Sequence, residues 1–256
     1  MSADESRPDV GAVVMAGGAG TRLGTLGRST PKCLLPLVDG QTLLSRLLLQ
    51  LNAAGIRRIA VCCSPVNYPL ICAALEAYRI MTGHSRDELK AVACTSCSLG
   101  PIPAMAEALE RVSGRWRLLC LGDIHLAAEP FGEFMRGNAV SFDGCLLTGT
   151  DQKDGSASAA VICVGSLVQL VGYRPIKSIG VSTSQRSWTG SYFFREELLA
   201  DLRAHVAEYR HAPVEDWIHG SIERGAICTW MEAGNFVNVN SAEDYEFLTR
   251  MAQDGS

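Results

Sequence analysis

The sequence predicts a three-layer α/β/α fold with a mixed, mostly parallel central sheet. Three observations point there. Short runs rich in Val, Ile, Leu and Cys alternate with longer stretches of helical periodicity over the first 125 residues. Those runs lack polar alternation, as strands covered on both faces do. Beyond residue 125 the helical spacers give way to strand-and-turn runs, which mixes the sheet.

Taken in order, "GAVVMA" (11–16), "RIAVCCS" (58–64), "KAVACT" (90–95) and "RLLCLG" (117–122) read as buried strands. Between them, "QTLLSRLLLQLNAAG" (41–55) has helical spacing and stops on Gly55. "YPLICAALEAYRIM" (68–81) and "PAMAEALERVSG" (103–114) follow the same form, the second with Pro103 in its first turn. This β-α-β-α-β-α-β order implies a parallel sheet with right-handed crossovers. "GCLLTGT", "SAAVICVGSLVQLVGY" and "SWTGSYFF" read as strands with short turns. Helices are predicted over 195–209 and 214–225, a strand at "NFVNVN", and a closing helix over 241–252. Ser241 is its expected N-cap, with Asp244 three residues on. No repeat or linker interrupts the chain, so residues 1–256 read as one domain with two halves, 9–125 and 126–256.

Composition narrows the function. The chain has 256 residues, 47% hydrophobic and 20% charged, enough for a large core. A net charge of -4 argues against non-specific nucleic-acid binding. No apolar run approaches the ~18 residues of a membrane helix, and the polar, acidic "MSADESRPDV" is unlike a secretory signal. Ten cysteines lie mostly in apolar runs (Cys62, Cys63, Cys120, Cys163), which reads as buried free thiols in a reducing, cytoplasmic setting. The single C-x-x-C pair, Cys94 and Cys97, lacks two further ligands at zinc-site spacing.

The chemistry concentrates in "AVVMAGGAGTRLGTLGRSTPKCLLPL" (12–37). A glycine-rich turn after the first strand of a parallel sheet sits at the edge where open α/β sheets bind ligands. Glycines let backbone N–H groups approach phosphate oxygens, and a basic residue can hold the phosphate charge. Gly17, Gly18 and Gly20, followed by Thr21 and Arg22, fit neither the dinucleotide G-x-G-x-x-G nor the P-loop spacing. A bare structural turn would not account for Arg22 or for Pro31-Lys32 downstream.

"MAGGAGTRLGTLGRSTPKCLLPL" resembles the signature of the sugar-1-phosphate nucleotidyltransferases that make NDP-sugars and related activated alcohols, roughly L-A-G-G-x-G-T-R-L…P-K-x-L-L-P. The resemblance continues more weakly through "SLGPIPAM", "LLCLGDIHL", "LVGYRPI", "WTGSYFF" and "NFVNVNSAEDYEFL". The ending and its preceding Glu-Asp-Trp helix also resemble bacterial phosphocholine cytidylyltransferases. The resemblance implies a Rossmann-like, GT-A-like fold, an NTP and a phosphorylated small-molecule acceptor as partners, Mg²⁺ as cofactor, and room for a homo-oligomer. Ala16, Gly17, Gly18, Gly20, Thr21, Arg22 and Gly100 would bind the nucleotide, and Arg22 and Lys32 would be catalytic. Arg174, Gly190 and Tyr192 would bind the acceptor. Asp123, Asn238 and Asn240 would hold the metal, with Asn238 favoured as second ligand beside Asp123. Alternation puts the two asparagines on one face. The alternative for Asp123 is a cap for the downstream helix; His125 reads as a wall residue.

Two departures leave the substrate open. Tyr173 and Arg174 stand where the family has Glu-Lys, and Pro101-Ile102-Pro103 replaces a run of small residues. An alternative acceptor is phosphocholine or a phosphonate, for which Trp188, Tyr192, Glu215, Asp216 and Trp217 could form a cation cage. A nucleotide-binding regulatory protein without catalysis is the alternative of another class. A glycosyltransferase fits poorly, because "GDIH" lacks D-x-D.

Overall fold

The computed structural model describes residues 8–18, 23–24, 27, 30–127, 129–136, 142–153, 159–172 and 184–254. Gly20, Thr21, Arg22, Tyr173 and Arg174 lie outside the described residues.

The first four strands are β1 (Val10–Met15), β2 (Arg58–Cys63), β3 (Leu89–Ala93) and β4 (Trp116–Leu121). They pair in parallel in the order β3-β2-β1-β4. Helices α1 (Leu43–Ala53), α2 (Tyr68–Thr82) and α3 (Pro101–Leu109) form the crossovers. α1 starts on a capping box between Thr42 and Ser45 and buries five leucines: Leu43, Leu44, Leu47, Leu48 and Leu51. Burial of each such side chain is worth about 1.5–3 kcal/mol. α2 ends on Gly83 at φ 73, the left-handed C-cap that glycine adopts without a Cβ clash. α3 begins two residues earlier than expected and ends five earlier. Pro101 and Pro103 both fit its first turn, where no N–H is needed, and the chain beyond Leu109 turns away to reach β4.

The second half adds β5 (Ile124–Leu126), α4 (Phe131–Arg136), β6 (Gly144–Asp151), β7 (Ala160–Val164), β8 (Leu167–Gly172) and β9 (Ser184–Arg195). It closes with α5 (Glu196–His205), α6 (Val214–Glu223), β10 (Cys228–Asn238) and α7 (Ala242–Asp254). β9 joins β4 and β6 antiparallel, and β10 runs parallel to β6. The sheet is thus mixed: parallel through its first four strands and at β6–β10, antiparallel elsewhere. β10 is far longer than "NFVNVN". It bulges at Gly234, whose carbonyl would lie 2.1 Å from any Cβ on Gly149, so both strands need glycine at that crossing.

The three layers follow from strand alternation. Ala12, Val14, Ile59, Val61, Leu118 and Cys120 pack under α1, α2 and α4. Val13, Ala60, Cys62, Leu119 and Leu146 pack under α3, α5 and α6. α7 covers a smaller cluster of Leu43, Val237, Val239 and Leu248.

Candidate active site

Direction of strands brings the site together. The two antiparallel steps β4–β9 and β9–β6 cancel, so β10 points the same way as β1 and β4. The exits of β1, β4 and β10 therefore open on one edge of the sheet.

At the β1 exit, Ala16 continues the ladder, donating its N–H to the Cys62 carbonyl at 2.7 Å. Among the described residues, nothing lies within 4 Å of where a Cβ on Gly18 would sit. At the β4 exit, Gly122 donates to the Met15 carbonyl at 2.9 Å, and a Cβ there would meet that oxygen at 2.8 Å. Only glycine permits this approach, and it aims the next residue, Asp123, along the β1 exit. Met15, Ala16, Gly18, Lys32, Cys33, Gly122 and Asp123 line one small cleft.

Lys32 is presented by a short 3-10 turn, Lys32–Leu34, that Pro31 opens. Buried Cys33 and Leu35 anchor the turn. The Lys32 ammonium donates to Asp123 Oδ2 at 2.7 Å and to Asn240 Oδ1 at 3.3 Å. Burial, and next the Asp123 charge, push the Cys33 thiol up to about 12, so Lys32 has an inert neighbour. Asp123 thus turns its carboxylate into the cleft and not onto the start of α4.

Asn240 owes its place to a knot at the head of α7. Asp244 is buried, and its Oδ2 accepts the N–H groups of Asn240 and Ser241, each at 2.8 Å. Ser241 Oγ accepts the Asp244 N–H at 3.3 Å, completing a capping box. The other Asp244 oxygen pairs with the Lys153 ammonium, from the chain just past β6. The N–H of Val239 donates to the Asp123 carbonyl at 2.9 Å, which ties the two loops directly.

The two asparagines part at the end of the strand. Asn238 stays in the β10–β5 ladder opposite Ile124, and the side chain that reaches Lys32 beside Asp123 is that of Asn240. The reason is the strand's end: beyond Asn238 the chain leaves the pleat, so alternation no longer places the two asparagines alike.

Among the proposed acceptor residues, Tyr192 needs correcting, as does the cation cage. Tyr192 is fully buried, its hydroxyl 3.3 Å from Cys228 Sγ. Trp188, Glu215 and Trp217 are buried as well, and Tyr192 and Phe194 both meet the Trp217 ring edge-on. These aromatics are the core under α5 and α6, and Asp216 beside them is exposed; no cation cage exists there. Gly190, at φ 73, is required by packing, since a Cβ would fall 2.3 Å from Ile124 Cδ1. Gly100, at φ 118, likewise backs onto His211, whose backbone nitrogen would lie 2.6 Å from any Cβ there.

A larger cavity, about 550 Å³, lies on the α7 side, lined by Leu37, Arg46, His125, Phe236 and Leu248 among others. Burial, then the Arg46 charge, lower the His125 imidazole to about 4, so that ring is neutral near pH 7. The cavity does not contain the Lys32 cluster, and its lining is mainly apolar.

The model of the MobA-like NTP transferase domain matches residues 12–215, which include every strand exit just described except that of β10. The chain belongs to the MobA-like NTP transferase family. It is a nucleotidyltransferase. No curated protein matches it significantly in sequence. Among solved structures it is similar to the inositol-1-phosphate CTP transferase from T. maritima, at 18% identity and TM-score 0.73, covering 94% of this chain and 96% of the other. A Bacillus anthracis protein described as a glucose-1-phosphate thymidylyltransferase, crystallised with sucrose, shares 16% identity over 96% of each chain at TM-score 0.78. The CTP:phosphocholine cytidylyltransferase of Streptococcus pneumoniae shares 15% identity at TM-score 0.70, over 95% of this chain and 99% of that one. At these identities the likeness is one of fold. Among the described residues, no helix of this MobA-like transferase is long and apolar enough to cross a membrane.

Sequence reasoning missed the Lys153–Asp244 pair. Asp244 was visible as a helix cap, but nothing near Lys153 marks it as a partner.

Proposed function

We propose that this transferase moves a nucleotidyl group from an NTP to a sugar 1-phosphate with Mg²⁺. The observation that supports it most is the convergence of Lys32, Asp123 and Asn240 beside the β1 exit. An anionic phosphate attacking an anionic NTP requires positive charge and positioning more than covalent chemistry.

Lys32 holds the α-phosphate and the incoming phosphate oxygen, so their repulsion is neutralised before in-line attack. The turn at Ala16–Gly18 carries the nucleotide against the edge of β1. Arg22 would neutralise the departing pyrophosphate, and Arg174 the acceptor's phosphate; both roles come from the family signature. The metal fits the oxygen donors present. The Asp123 carboxylate and the Asn240 amide oxygen already face one cation, the Lys32 ammonium, and hard divalent ions take oxygen ligands of this kind. When bound, Mg²⁺ would supply charge neutralisation across the phosphates. With one carboxylate in the pair, the protein's own affinity for it would be low, and the nucleotide's phosphates would supply the missing negative charge.

A pyrophosphate-release screen tests this: ATP, CTP, GTP, UTP and dTTP against sugar 1-phosphates, cyclitol phosphates, phosphocholine and phosphonates. Turnover with one NTP and a sugar 1-phosphate is expected. Turnover only with phosphocholine or a phosphonate would reassign the acceptor.

A further inference from the structure

Helix α2 is apolar on two sides. Its inner side buries Ile71, Leu75 and Tyr78 against the sheet. Its outer side carries Leu70, Ala73, Ala77 and Ile80, spaced 3, 4 and 3 residues apart, with Met81 beside them, and all five are exposed. That spacing draws a seam down one face of a helix. Val66, in the turn before α2, extends the seam. The exposures are high: Val66 85%, Ile80 79%, Met81 73% and Leu70 47%. A helix that is apolar all round is ordinarily covered all round. The charges on α2, Glu76 and Arg79, lie off the seam and pair with each other at 2.6 Å. Beside the seam a groove of about 190 Å³ separates α1 from α2, lined by Leu44, Leu48, Ala74, Ala77 and Met81 among others. Protruding side chains and a hollow thus share one face.

We propose that α2 docks on α2 of a second copy of this chain, antiparallel, about a two-fold axis between Ala73 and Ala77. The first reason is shape. A two-fold contact uses the same patch twice, so the patch must complement itself. This axis sets Ala73 against the partner's Ala77 and Leu70 against the partner's Ile80. Small residues at the crossing let the two backbones approach closely, and the bulky ends then reach toward the α1–α2 groove of the opposite copy.

The second reason is charge. Glu76 is neutralised within its own copy by Arg79, so no unpaired carboxylate meets its own image across the axis. Antiparallel axes also set the positive end of each helix dipole against the negative end of the other. The third reason is area. Covering Val66, Leu70, Ile80 and Met81 removes about 300 Å² of apolar surface per copy, at roughly 100 Å² for a whole side chain. At the apolar share of a homodimer interface, about 65%, that corresponds to about 1,000 Å² in total, the lower limit for specific association. The dimer is therefore concentration-dependent and separates on dilution.

The test is sedimentation of the full chain from about 1 to 100 μM, a range that brackets a contact of this size. The mass should rise from that of one chain toward that of two. Ile80→Glu, at a site mostly in water, should raise the dimer dissociation constant at least about thirtyfold, as loss of an interface anchor does. Ile227→Glu, at a half-exposed apolar site just before β10, should leave it unchanged. Thermal melts check that both variants fold. In a Leu70→Cys, Ile80→Cys double variant, mild oxidation should link position 70 of one copy to position 80 of the other. Within one helix those positions lie about 15 Å apart, too far to join. A chain that stays monomeric over the whole range would overturn the proposal and leave the face to a different protein. A dimer that Ile80→Glu does not weaken would overturn it as well. A dimer weakened by Ile80→Glu but never linked between positions 70 and 80 would keep α2 as the face and overturn the antiparallel axis.

Discussion

In the first half of the chain, Gly122 and Asp123 stand just past the parallel strand β4 and are carried by its direction, and Lys32 meets them from a 3-10 turn anchored by Cys33 and Leu35. In the second half, Asn240 reaches the same ammonium from a turn held by Asp244 and Lys153, two residues 91 positions apart. The contrast shows two ways to build one edge. A parallel sheet delivers its strand ends to one side at no further cost. A mixed sheet must fasten its contribution with side-chain contacts, and those are where it can be loosened.

The first half should therefore show the largest losses. Lys32→Ala should lower turnover by at least ~10²-fold, as for loss of one charge-assisted contact to a developing anion. Asp123→Asn removes the one carboxylate among the proposed metal ligands and should abolish nearly all activity. Initial rates against Mg²⁺, with thermal melts alongside, check both. Wild-type turnover by Asp123→Asn at saturating Mg²⁺ would remove the metal assignment.

The second half should lose less, and in a graded way. Asn240→Ala should raise the Mg²⁺ needed for half-maximal rate by about tenfold, whereas Asn238→Ala stays near wild type. Asn240→Asp, which presents an oxygen from nearly the same place, should keep activity. The reverse order of the two alanine variants would restore Asn238 as the ligand.

Lys153→Met leaves the site residues intact and loosens only the knot. Its Mg²⁺ requirement should rise by a smaller factor, about three- to fivefold, and the effect should vanish in an Asn240→Ala background because residues in one network do not add. An additive double variant would mean that Lys153 acts elsewhere.

The smallest effect belongs to Tyr192. Tyr192→Phe removes a buried contact to sulfur, so it should cost at most about 1 kcal/mol of stability and leave acceptor KM unchanged. A raised KM would return Tyr192 to the acceptor site.

The pattern of these effects follows what was legible. "GGAGTRL…PKCLLPL" and "GDIH" mark the candidate site in contiguous residues, because each follows directly on a strand of the parallel half. Asn240 was legible as a candidate but not as the asparagine that reaches Lys32. Its rank depends on the strand ending at Asn238, and boundaries are set by pairing with β5, which the sequence does not display. Tyr192 was misassigned for a related reason. Its strand is antiparallel to both neighbours and buried on both faces, so residue type alone could not tell a substrate contact from core.

The sequence by itself determined the three layers and the order of the first seven elements, and it marked Lys32 and Asp123 separately as candidate site residues. Periodicity and contiguous motifs carry that information, since each depends on residues within about a turn or a strand of one another. Only the tertiary structure decided which asparagine reaches Lys32, that Lys153 holds its turn, that the aromatic residues face inward, and that Cys62 lies against Cys94. The polar and thiol contacts among these join groups 32 to 208 positions apart, brought together by strand direction and packing, and no local pattern records such a meeting.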